Sequence, residues 1–142
     1  MNMKFRLYVF IFLAALSRDV FSQTADSLKY TVLSDKEFIA GFRASSGAIL
    51  IDARAQKDYR KSRIEGAVNI DWPLPENYFT SAAAPAKGKP VFIYCYAGFR
   101  SRKVSVLFYD HGYRELYSLK GGFNGWKAHK MPVDRKRHPH TR

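Results

Sequence analysis

The chain has 142 residues, 46% of them hydrophobic and 15% aromatic, which suits one domain with its own core and leaves no room for two. Lys and Arg outnumber Asp and Glu by 24 to 12, a formal charge of +12 that bears on the attraction of anions rather than on fold or activity. The single cysteine, Cys95, excludes an internal disulfide framework and any Cys-rich zinc site.

At the N-terminus, Lys4 and Arg6 precede the mostly apolar run from Leu7 to Leu16, which Ser17, Arg18 and Asp19 then break. A bilayer span needs about 20 apolar residues, so this run is too short to anchor the chain stably in a membrane. A basic start, a short apolar run and small residues after it make the pattern of a secretory signal peptide over residues 1–22, with Val20 and Ser22 at the cleavage positions and Gln23 as the new N-terminus. The alternative is an apolar N-terminal helix kept as a core or interfacial element. The signal-peptide reading makes the protein extracytoplasmic, either periplasmic or secreted, with its domain over residues 23–133.

Short apolar runs then alternate with helix-like stretches, the pattern of an α/β domain with a mainly parallel sheet. Tyr30 to Leu33 reads as a strand, and Ser34 with Glu37 forms a capping box for a helix to about Arg43. Ala48 to Ile51 is a continuous apolar run, as expected of a strand covered on both faces. A short helix fits Gln56 to Lys61 and a third strand Ala67 to Ile70. Residues 71–89, with Pro73, Pro75, Pro85 and Gly88, read as an irregular connection holding at most a helical turn. Val91 to Tyr94 is the next buried strand and runs straight into Cys95; a helix follows from about Phe99 to Tyr109, stopped at His111-Gly112. Leu116 to Leu119 is the last strand, Gly121-Gly122 a turn, and Phe123 to Lys130 a closing helix. The stretch from Asp134 to Arg142 is basic, has no apolar residue and reads as a disordered tail.

The most specific stretch is Cys95-Tyr96-Ala97-Gly98-Phe99-Arg100-Ser101. It leaves a buried strand and opens a helix, the place where a doubly covered parallel sheet puts its ligand sites. Backbone N–H groups at a helix start converge on an anion, and Gly98 lets the chain curl with no Cβ in the way. The helix start and the Arg100 guanidinium both attract the negative charge of a thiolate, the nucleophilic form of cysteine. On cysteine statistics alone a buried structural thiol is the commoner case. The following Gly98, Arg100 and Ser101 weigh against it, because an anion cradle needs them and a packed core does not.

These residues resemble the rhodanese-like domains in their single-domain form, over nearly all of residues 28–133. The cysteine loop is similar to the family's C-x-x-G-x-R-S loop. Leu50 to Arg54, then Tyr59, then Ile64-Glu65-Gly66-Ala67-Val68-Asn69-Ile70, resemble its first signature; Leu119-Lys120-Gly121-Gly122-Phe123, Trp126 and Pro132-Val133 resemble its closing one. Arg63 stands where the family often has His, Glu65 where it has Pro, and His129-Lys130-Met131 replaces the usual glycine before the last proline. The resemblance implies a five-stranded parallel sheet with helices on both faces and sulfurtransferase chemistry. Cys95 would take the outer sulfur of thiosulfate or another sulfane donor as a persulfide, and cyanide or a thiol would remove it. Apart from that covalent persulfide no cofactor is implied. Tyr96, Ala97, Gly98, Phe99, Arg100 and Ser101 would bind the substrate, Arg100 matching the sulfite oxygens.

Two other classes share the fold. Phosphatases and arsenate reductases use a similar cradle with five residues between Cys and Arg, whereas four separate Cys95 from Arg100 here. Binding modules without turnover arise by loss of the cysteine, which this chain keeps. Asp52 and Arg54 leave a strand end near the site and read as supporting residues that brace loops. His111, His129, His138 and His140 show no ligand spacing, so no metal is expected, and dispersed Lys and Arg without a nucleic-acid signature argue against nucleic-acid partners.

Overall fold

The apolar runs become strands and the periodic stretches helices in a computed structural model that describes residues 29–136. In chain order the elements are β1 (Thr31–Leu33), α1 (Asp35–Ala44), β2 (Ile49–Asp52), α2 (Gln56–Lys61), β3 (Val68–Asn69), a 3-10 turn (Tyr78–Thr80), β4 (Val91–Tyr94), α3 (Phe99–Asp110), β5 (Leu116–Leu119) and α4 (Gly122–Ala128). The five strands form one sheet in the order β1-β5-β4-β2-β3 with every pairing parallel. Alternation along the strands sends side chains to two cores. Ile51, Val91 and Ile93 meet Val104 and Phe108 of α3 together with Tyr78 and Tyr113. Leu50, Phe92 and Tyr94 meet Phe38 of α1 and Phe123 and Trp126 of α4. With helices on both faces, β4 is buried at all four positions, which is why it reads as an unbroken apolar run.

The capping box at Ser34 forms as expected: its hydroxyl accepts from the Glu37 N–H while the Glu37 carboxylate accepts from the Ser34 N–H. Beyond one-residue shifts in the first two strands and in the helix after the cysteine loop, three expectations change. The third strand shrinks to Val68–Asn69, since only β2 flanks it and nothing outside extends the ladder. The closing helix stops at Ala128 rather than Lys130, because Lys130 turns to a left-handed φ of 56° and Met131 bonds back to the Trp126 carbonyl at 3.0 Å. A left-handed lysine therefore does the work that glycine usually does at a helix end.

The third shift corrects the tail, which does not lose order at Asp134. Arg63 is only 2% exposed, and its guanidinium lies 2.9 Å from the Asp134 carboxylate. The two residues also exchange backbone hydrogen bonds of 3.0 and 2.8 Å in an antiparallel bridge. A buried cation requires such a partner, so the chain end is drawn against the α2–β3 connection as far as Lys136, whose carbonyl accepts from Arg63. The signal-peptide region and residues 137–142 lie outside the described residues. Among the described residues no helix is long and apolar enough to cross a membrane.

Candidate active site

Cys95 follows the last residue of β4 and is 2% exposed. The chain then turns through Tyr96 and Ala97 to Gly98, which caps α3 with φ at +94°, a conformation L side chains rarely adopt. That turn brings the Gly98 N–H to 3.2 Å from Cys95 Sγ, so a backbone donor faces the sulfur. The space is tight as well, for a Cβ on Gly98 would lie 3.4 Å from the Leu119 carbonyl oxygen.

The loop is held from behind by the start of α4. The Phe123 N–H donates to the Cys95 carbonyl at 2.7 Å, and the Asn124 N–H to the Tyr96 carbonyl at 2.9 Å. Fixing these carbonyls toward α4 fixes the peptide planes between Cys95 and Ala97. Gly122 makes the approach possible: a Cβ there would sit 2.6 Å from both the Cys95 carbonyl oxygen and the Tyr96 carbonyl carbon. The Gly121-Gly122 pair, expected to form a turn, thus shapes the cysteine loop directly.

The far side of the loop is a chain of hydroxyls. The Cys95 thiol donates to Ser101 Oγ at 3.7 Å, and Ser101 Oγ lies 3.1 Å from the Gly98 carbonyl, its acceptor, and 2.9 Å from Ser118 Oγ. Arg100 is half-buried, with Nη1 donating to the Ala53 carbonyl at 3.2 Å. The Arg100 and Arg54 guanidiniums lie 5.8 and 5.7 Å from the centre of the Tyr96 ring. The Tyr96 hydroxyl donates to the Asp58 carboxylate on α2. This bond holds the Asp58 carboxyl below the usual aspartate range and pushes the Tyr96 phenol up. Ala97 is exposed, and Phe99 is 74% exposed, so Phe99 stands out from the loop instead of packing on the sheet.

Asp52 and Arg54 form a buried pair. Arg54 Nε and Nη2 bond to the Asp52 carboxylate at 3.0 and 2.7 Å, and Nη2 also donates to the Ser62 carbonyl at 2.6 Å. The Tyr94 hydroxyl donates to the second Asp52 oxygen at 2.7 Å while accepting from the Ile64 N–H. Burial acts to lower the Arg54 pKa, and the Asp52 carboxylate outweighs it, leaving the guanidinium more firmly protonated. Burial first, then the neighbouring Asp52 charge, pushes the Tyr94 phenol far up. The network ties the end of β2 to β4 and to the turn after α2, and it reaches the cysteine loop through the Tyr96 ring.

Sequence reasoning assembled the loop from Cys95 to Ser101 and missed Gly122, Ser118, Asp58 and Tyr94. Ser118 stands as a lone polar residue in an apolar strand, a signal that was available. Asp58 offered none, because its link to Tyr96 depends on how α2 folds back.

Residues 34–129 match the family described as Rhodanese-like domain. The chain is 36% identical over 86 residues to a thiosulfate sulfurtransferase GlpE of Coxiella burnetii, covering 61% of this chain and 78% of that protein. The thiosulfate sulfurtransferase GlpE of Haemophilus influenzae is 30% identical over 88 residues, covering 62% and 81%. Among solved structures, a Lactobacillus plantarum protein superposes with a TM-score of 0.60 at 20% identity, covering 83% of this chain and 97% of its own. A rhodanese-related protein from Thermoplasma volcanium gives 0.57 at 16% identity, covering 75% and 100%. At these identities the structures speak to the fold, while the family match spans the cysteine loop and both strand ends that frame it; the chain belongs to the rhodanese-like domain family.

Proposed function

We propose that the protein is a thiosulfate sulfurtransferase that carries sulfur on Cys95 and passes it to cyanide or a thiol. The observation that carries this reading is the Gly98 N–H held 3.2 Å from Cys95 Sγ in a loop whose carbonyls are tied away behind it. Such a cradle favours an anion at or next to the sulfur. In the loading step the Cys95 thiolate attacks the outer sulfur of thiosulfate. The new S–S bond forms as the old one breaks, its electron pair leaves with sulfite, and the persulfide keeps one negative charge. In the discharge step cyanide or a thiolate attacks the terminal sulfur and the pair returns to Cys95. No oxidant, metal or cofactor enters either step. Arg100 meets the sulfite oxygens through guanidinium N–H groups other than the one given to Ala53. The GlpE relatives, named thiosulfate sulfurtransferases, support the same chemistry. With no second cysteine in the chain, the acceptor comes from outside.

The N-terminal pattern adds that the reaction takes place outside the cytoplasm, on a mature chain starting at Gln23. N-terminal sequencing of the protein recovered from its host checks this, and retention of residue 1 refutes it.

The test of the chemistry is intact mass after incubation with thiosulfate. The expected result is a gain of one sulfur atom, abolished by Cys95→Ser and reversed by cyanide with release of thiocyanate. A wild type that gains no sulfur yet hydrolyses an aryl phosphate overturns the reading.

A further inference from the structure

A single row of residues crosses the sheet from edge to edge in register: Val32, Ser118, Ile93, Ile51 and Val68. Four are β-branched aliphatics, as a two-sided parallel sheet favours. Ser118 is the exception, and it is completely buried. A buried hydroxyl is stabilising only where it has a partner, and Ser118 Oγ lies 2.9 Å from Ser101 Oγ. Ser101 Oγ lies 3.7 Å from Cys95 Sγ. The serine in the apolar row therefore sits at the far end of a three-membered chain that ends on the nucleophile.

We propose that Ser118 is a positioning residue that lets the Ser101 hydroxyl donate to Cys95 Sγ whenever negative charge resides there. This rests on the sulfur-transfer reading. Proton counting supplies the argument, since a serine hydroxyl has one hydrogen and two lone pairs. With Cys95 as a thiol, its S–H donates to Ser101 Oγ, and Ser101 gives its own hydrogen to the Gly98 carbonyl, 3.1 Å away. With charge on Sγ, Ser101 must turn its hydrogen to the sulfur and needs a donor to its own oxygen. Ser118 supplies that hydrogen bond, and the Gly98 carbonyl retains the Arg102 N–H at 3.4 Å.

The two half-reactions then depend on Ser118 unequally. In loading, charge leaves Sγ as that atom becomes the inner, uncharged sulfur of the persulfide. In discharge, charge returns to Sγ as the S–S bond breaks, and a hydrogen bond to the departing thiolate lowers that barrier. Ser118→Ala removes the bond that supports the Ser101 hydroxyl and should slow discharge by cyanide about tenfold, the upper end for one hydrogen bond between neutral groups. Loading by thiosulfate should change less, so the persulfide fraction at steady state rises. Ser118→Thr, which keeps the hydroxyl, should restore discharge.

The experiment loads the purified protein with thiosulfate, removes the excess, adds cyanide and follows intact mass with time for wild type and both variants. A discharge rate in Ser118→Ala within twofold of wild type overturns the inference, as does an equal fall in both half-reactions, which marks a distorted loop. Should Ser118→Ala not fold, Ser101→Ala must show the same asymmetry, and its absence overturns the inference. Failure of the wild type to take up sulfur would instead refute the sulfur-transfer reading.

Discussion

A glycine of the β5–α4 turn fixes the peptide planes that follow Cys95. Any side chain at Gly122 would drive a carbon to within 2.6 Å of the Cys95 and Tyr96 backbone, and φ of +58° opposes it independently. Gly122→Ala should therefore leave the sheet intact while displacing the loop. Displacements approaching 1 Å at a reacting group cost about 100-fold in rate, so thiocyanate production should fall on that scale with little change in far-ultraviolet circular dichroism. Lys130 is the converse case, a non-glycine residue held at φ +56°. Relieving that strain makes Lys130→Gly stabilising by about 1 kcal/mol, measurable by urea unfolding. The doublet Gly121-Gly122 was visible in the sequence but its meaning was not, because a steric limit set by a backbone 27 residues away leaves no local pattern.

The strand ends around the site are joined by polar groups, and that joining is an element-scale property. The Asp52–Arg54 pair is buried, with Tyr94, Ser62 and Ile64 completing its hydrogen bonds. Asp52→Ala leaves a buried guanidinium without its counter-ion and should destabilise the fold by about 3–5 kcal/mol, read from the urea midpoint. A second tie, from α2 to the loop, runs through Asp58 and Tyr96. The carboxyl of Asp58 is lowered in the fold, so the tie is complete above the ordinary aspartate value and is lost as pH falls through the lowered one. In acid, the Tyr96 ring resonances should shift in step with Asp58 protonation, and Asp58→Asn should remove that shift. The strands and helices were legible because burial on two faces leaves unbroken apolar runs and burial on one leaves the helical period. The polar ties were not, since Asp52 and Tyr94 are 42 positions apart and meet only when β2 pairs with β4.

At the scale of the molecule, charge and chain closure set the surroundings of the site. Lys57, Arg60 and Lys61 on α2 and Arg102 and Lys103 on α3 are exposed on the two helices beside the loop. They draw anions toward Cys95, and salt screens such fields over about 10 Å at 0.1 M, so the KM for thiosulfate should rise with ionic strength while kcat holds. A salt-independent KM would refute the steering. Chain closure rests on Arg63 and Asp134: a protein ending at Val133 strands Arg63 and should lose about 3 kcal/mol, whereas one ending at Lys136 keeps both partners. The basic tail looked uniform in composition, which hides a clasp made by one aspartate. The two bonds from α4 that hold the loop from behind also constrain how this enzyme scaffold can change. Lengthening the cradle by one residue between Cys95 and Ala97 would displace the carbonyls that accept from Phe123 and Asn124, beside a Gly122 with no room for a Cβ. A switch of chemistry on this scaffold would have to rebuild the β5–α4 turn together with the cysteine loop, so neither segment is free to vary alone.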